Sequence, residues 1–164
     1  MKSFIKTIVI VLGVLAVLFS CTPPEPETSS ELYVAIDVTA SAENKQHSLN
    51  LTSEKIITLL SLDDKPMSSA KYSHSLLTEL SLNQEFSEEL VSVEASEYNP
   101  YRRKAQIKTF ISKIGTALKD VENAEYDRPS SNIFLALSEI INKVGKRQAD
   151  KQVVIINSDI LDNS

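Results

Sequence analysis

The sequence predicts an α/β domain: an open, mostly parallel sheet flanked by helices, of the Rossmann type. Of two short apolar runs, LYVAIDV at 32–38 suits a strand buried on both faces and VVII at 153–156 suits a central parallel strand. Between them lie two long stretches whose apolar residues recur at helical spacing. A chain of 164 residues that is 42% hydrophobic and 24% charged has the length and the apolar content for one folded domain.

Each element follows in order. The first strand is expected over 32–38. A helix is expected over 43–60, where Leu49, Ile56, Leu59 and Leu60 make a thin stripe and Thr52 and Ser53 fill the intervening turn. Over 71–80, Tyr72, His74, Leu76, Thr78 and Leu80 alternate with mostly polar neighbours, the period of a half-exposed strand. LVSVEA at 90–95 reads as its antiparallel partner. Ile107, Phe110, Ile111, Ile114, Leu118 and Val121 define the next helix, with Pro100 near its start, where a missing N–H costs little. Ile133, Leu137, Ile140, Ile141 and Val144 define the last helix. Ser130, Ser131 and Asn132 offer N-caps for it, and Gly145 offers a stop. The run at 153–156 closes the order.

The segment ahead of the domain has the marks of an export signal. Lys2 and Lys6 precede an apolar run, Ile8 to Phe19, broken only by Gly13. At about 1.5 Å per residue such a run is shorter than the ~30 Å hydrocarbon core, and it fits a secretory signal rather than a spanning helix. It ends in Leu18-Phe19-Ser20-Cys21, which resembles a bacterial lipobox. The resemblance implies cleavage before Cys21, acylation (palmitate-type chains) on that cysteine, and a membrane-anchored domain outside the cytoplasm, in the cell envelope. Cys21 is the only cysteine, so no internal disulfide and no cysteine-based zinc cluster can form. Residues 22–31, TPPEPETSSE, carry three prolines and no large apolar side chain. They read as a semi-stiff tether. The expected organisation is a signal peptide at 1–20, the lipidated cysteine and linker at 21–31, and the domain at 32–164.

Oxygen-bearing side chains collect where the strands end. In open α/β sheets, sites form outside the carboxyl ends of the strands. The first strand runs into Asp37, Thr39 and Ser41; the last runs into Asn157, Ser158 and Asp159; the loop before the last helix carries Ser130 and Ser131. Two carboxylates and several hydroxyls are the all-oxygen set that a hard cation such as Mg²⁺ takes, with water completing the shell. Each residue also has a plain structural use, as a turn or cap residue.

The stretches YVAIDVTAS and VVIINSD resemble those of a von Willebrand factor A domain. That resemblance implies a metal-ion-dependent adhesion site made of Asp37, Thr39, Ser41, Ser131 and Asp159, binding Mg²⁺, or Mn²⁺ as a substitute. Thr39 and Ser131 differ in type from the family's usual residues but keep the hydroxyl, and Ile160 stands where the family has glycine. The family continues with two further strands, so the domain reads as C-terminally shortened. The run at 153–156, interior in the family, then lies at an exposed edge.

The functional expectation is a membrane-anchored, extracytoplasmic protein-binding module that meets an exposed acidic residue of its partner. The alternative is a metal-free assembly protein of the same fold, docking through the last strand. A third reading, a phosphatase with Asp37 as nucleophile, lacks its acid/base aspartate because Thr39 occupies that position, and no catalytic residue is expected. A formal charge of −5 argues against nucleic acid as a partner, since phosphate neutralisation needs a basic patch. His47 and His74 have no second ligand at helical spacing. Tyr98, Tyr101, Arg102, Arg103 and Lys104 read as a solvated helix start.

Overall fold

The computed structural model describes residues 28–38, 51–77, 82–124 and 133–158. Four strands and three helices occur among them: β1 (Ser29–Asp37), α1 (Ser53–Leu59), β2 (Ser69–Leu77), β3 (Leu82–Leu90), α2 (Pro100–Asn123), α3 (Ile133–Val144) and β4 (Lys151–Asn157). The strands form one mixed sheet in the order β3-β2-β1-β4. β1 pairs in parallel with both β2 and β4, and β2 pairs antiparallel with β3. The α/β class and the mostly parallel sheet are therefore as the sequence predicts.

β1 is central and buried along nearly its whole length. Its alternation divides the core in two. Leu32, Val34 and Ile36 face a large cluster with Ile56, Leu60, Tyr72, Leu76, Phe110, Ile114 and Leu118, which brings in α1 and α2. Tyr33 and Ala35 face the other way, against Leu77 and the α3 residues Ala136, Ile140 and Val144. Helices thus cover both faces, the arrangement that lets a parallel strand be apolar on both sides. β1 begins at Ser29, inside the stretch read as linker, because Ser29 Oγ and its backbone N–H both bond the Asp150 carboxylate and Ser69 N–H donates to Thr28 O.

Three expectations need correction. The antiparallel partner of β2 is β3 at 82–90, not the run at 90–95, and β2 itself spans 69–77. LNQEFSEEL is poor in strand-forming residues, so it reads as loop. As an edge strand, β3 owes its pairing to the register with β2, where Ala70 meets Leu90 and His74 meets Phe86. Val93 leaves the sheet, its N–H donating to Met67 O. The second correction is the helix expected over 43–60: it begins at Ser53. Thr52 is extended (φ −68°, ψ 157°) and its side chain caps Lys55 N–H, ending any continuous helix there. Residues 39–50 lie outside the described residues. The third concerns α3, whose buried stripe is Ala136, Ile140 and Val144, while Ile141 is 60% exposed.

α2 is as expected, with Pro100 in its first turn and Asn99 Oδ1 capping Arg102 N–H at 3.0 Å. Gly145 closes α3 by donating to Ile141 O, and a Cβ there would come within 2.9 Å of that same oxygen. β4 pairs only with β1 among the described residues, and Val154 and Ile156 are 39% and 40% exposed. Among these residues the run at 153–156 is therefore an edge strand and not the central strand its apolar pattern suggests; only the family resemblance led to an edge there.

Candidate functional site

The sheet order creates one topological switch. From β1 the chain goes outward to β2 and β3, then returns to β4 on the other side of β1. The carboxyl ends of β1 and β4 are therefore neighbours at the point where the strand order reverses, the place where open α/β sheets put their sites. Asp37 is the last residue of β1, and Ser158 follows the last residue of β4. Ser158 Oγ donates to Asp37 Oδ2 at 2.8 Å, and Asp37 is only 8% exposed. A carboxylate so nearly buried requires a donor or a cation beside it.

Of the residues expected to hold a metal, Asp37 is where the reading puts it, at the carboxyl rim. Thr39, Ser41, Ser131 and Asp159 lie outside the described residues, as do Cys21 and the signal segment 1–20. Ser158 was not among the ligands that the family resemblance implied, yet its hydroxyl meets Asp37. Its signal was its place immediately after an apolar strand. Asp37 and Ser158 offer oxygen donors only, which suits Mg²⁺ in ligand type. Among the described residues, no three His, Cys, Asp or Glu side chains gather as a metal-binding group.

The interior contains polar groups that sequence reasoning missed. Arg103, placed by the sequence in a solvated helix start, is 2% exposed. Its guanidinium donates to Pro66 O, to Val91 O at 2.8 Å and to Ser68 O at 2.6 Å. One side chain thus ties α2 to the segment before β2 and to the end of β3. Its neighbours Tyr101 and Arg102 are exposed, as that reading expected. His74, 3% exposed, hydrogen-bonds Tyr72 Oη at 3.2 Å and stacks on Phe86 with ring centres 5.2 Å apart. Burial lowers its pKa to about 4, so the imidazole is neutral at physiological pH. Burial also raises the Tyr72 phenol well above its ordinary range. Tyr33 Oη and Ser75 Oγ satisfy one another beneath α3.

At the opposite, amino-terminal rim, Glu31 accepts from Arg147 while only 6% of its side chain is exposed. The nearby Asp150 carboxylate is held below its usual pKa range by hydrogen bonds from the backbone and side chain of Ser29.

The chain matches no family model, no curated protein and no solved structure.

Proposed function

We propose that this chain is a lipid-anchored, extracytoplasmic binding module with a von Willebrand A-like fold, and that it receives a protein partner at the carboxyl rim of its sheet. The observation that carries this reading is the Ser158–Asp37 contact, which joins the ends of β1 and β4 at the switch point of the sheet. The strand order and the helices on both faces support the fold assignment. Orientation supports the anchor. The chain enters β1 at Ser29, on the rim opposite Asp37, and β1 is nine residues long. At about 3.3 Å per residue that separates the two rims by roughly 25–30 Å. A tether running back to Cys21 would therefore leave the Asp37 rim facing away from the membrane.

In this reading Asp37 and Asp159 would hold Mg²⁺, with hydroxyls from Thr39, Ser41 and Ser131 and with water. The ion would offset the repulsion between the carboxylates and offer a coordination position to an acidic residue of the partner. Asp37 positions that charge from the rigid end of a central strand, and Ser158 orients its carboxylate. No covalent chemistry is assigned to these residues.

The test is a thermal melt of the chain with and without millimolar Mg²⁺ or Mn²⁺. Stabilisation by either ion, absent in Asp37→Ala, is the expected result; equal stabilisation of both proteins overturns the metal reading. A second reading, metal-free docking through β4, is favoured by the exposure of Val154 and Ile156 on a strand paired on one side only among the described residues. Partner capture that survives EDTA and fails in Ile155→Pro would decide for it.

A further inference from the structure

At the amino rim, four residues at one register position form a row across the sheet: Gln152 on β4, Glu31 on β1, Lys71 on β2 and Glu89 on β3. A cleft of about 310 Å³ opens over this row, lined among others by Ser30, Glu31, Ser69, Lys71, Glu89 and Arg147. Its size is at the lower end of small-ligand sites, which run from roughly 300 to 1,000 Å³. Glu31 is more than nine-tenths buried and bonds Arg147 through Oε1, whereas its Oε2 is buried with no hydrogen-bond partner. Leaving such an acceptor unsatisfied carries the desolvation penalty of that group in full. Lys71, its neighbour on β2, forms no ion pair with it. Sequence reading placed Glu31 at the end of the tether and Lys71 at the start of a half-exposed strand, and neither in a site.

We infer that this cleft binds a small zwitterion of the ethanolamine phosphate type, with its primary ammonium donating to Glu31 Oε2 and its phosphate on Lys71. The orphaned oxygen accepts a hydrogen bond, and a cationic N–H is a strong donor to a carboxylate. Adjacent strands hold the Glu31 and Lys71 stems about 5 Å apart, which asks for a ligand whose opposite charges are similarly spaced. An α-amino acid holds its charges closer together than that. Ser69, two positions before Lys71 on β2 and so on the same face, adds a hydroxyl donor for phosphate oxygens. Because β1 starts at this rim, the same chemistry is available from two sources, a free phosphate monoester and an aminophospholipid headgroup. The cleft is at the other end of β1 from Asp37, so its occupancy is independent of the metal reading.

The experiment is calorimetric titration of the full chain, reconstituted in phosphatidylcholine vesicles, with phosphoethanolamine, phosphocholine and inorganic phosphate. Phosphocholine keeps both charges but has no N–H to donate. The expected result is binding of phosphoethanolamine, with phosphocholine and phosphate each weaker by about tenfold or more, the scale of one lost charge-assisted hydrogen bond. Glu31→Gln and Lys71→Gln should each weaken it by a similar factor; Lys71 is only half-buried, so that variant retains the fold if Glu31→Gln does not. Repeating the titration in phosphatidylethanolamine vesicles separates the sources: abolished heat assigns the lipid headgroup, and persistent heat assigns a soluble zwitterion. Absence of binding at millimolar phosphoethanolamine, equal binding of phosphocholine or phosphate, or undiminished binding by Lys71→Gln overturns the inference.

Discussion

Ser158 Oγ and Asp37 Oδ2 meet at 2.8 Å although 121 positions separate them along the chain. The contact exists because β4 is parallel to β1 in a register that places Asn157 beside Ile36, so the next residue of each strand reaches the same rim. It links the fold to the candidate site through a single hydroxyl. Ser158→Ala removes a donor from a nearly buried carboxylate and should cost about 1–2 kcal/mol in urea denaturation at neutral pH. If Asp37 is a ligand, the same variant should retain a Mg²⁺-dependent shift in melting temperature that Asp37→Ala lacks.

Arg103 should matter more to stability than any exposed charge. Its guanidinium serves three backbone carbonyls, from Pro66, Ser68 and Val91. Arg103→Met fills the same space without the donors and should destabilise the fold by about 3 kcal/mol or more. Exposed Arg102→Met, one residue away, should change stability by less than about 0.5 kcal/mol. Parallel denaturation of the two variants checks the contrast.

His74 makes stability depend on pH in a definite direction. Its folded-state pKa is lowered to about 4, against an ordinary value of 6.5. Between those values the unfolded chain binds a proton that the folded chain does not, so stability falls as pH drops from about 6.5 towards 4. The contribution is on the order of 2 kcal/mol after allowance for solvent screening. His74→Phe preserves the ring against Phe86 and should flatten the profile in that window, as read from denaturation midpoints at stepped pH.

Gly145 is required for space. A side chain would press its Cβ within 2.9 Å of Ile141 O, the oxygen to which Gly145 N–H donates. Gly145→Ala should cost about 1 kcal/mol through a displaced helix end. The effect should appear as a lower melting temperature with an unchanged Mg²⁺ response.

Local pattern carried much of the fold. The apolar residues from Leu32 to Ile36 marked β1 and helical spacing marked α2 and α3, because these elements bury side chains of their own; a β-branched run marked β4, although that strand is only half-buried. β3 was illegible for the converse reason: its Asn, Gln and Glu residues are tolerated by a strand with one neighbour and carry no period of their own. The break at Thr52 was hidden because a capping threonine looks like any polar residue within a helical stretch.

Asp37 was legible as a candidate because it ends an apolar strand, and that position is visible in one dimension. Its meeting with Ser158, the burial of Arg103 and the orphaned oxygen of Glu31 are not. The sequence alone determined that this chain would build a mostly parallel sheet with oxygen-bearing residues at the strand ends. Only the tertiary structure decided which of those residues touch, and that a glutamate at the other rim is buried with half its carboxylate unsatisfied. Burial and pairing across long separations depend on strand order and register, which arise from packing the whole chain and leave no local trace in it.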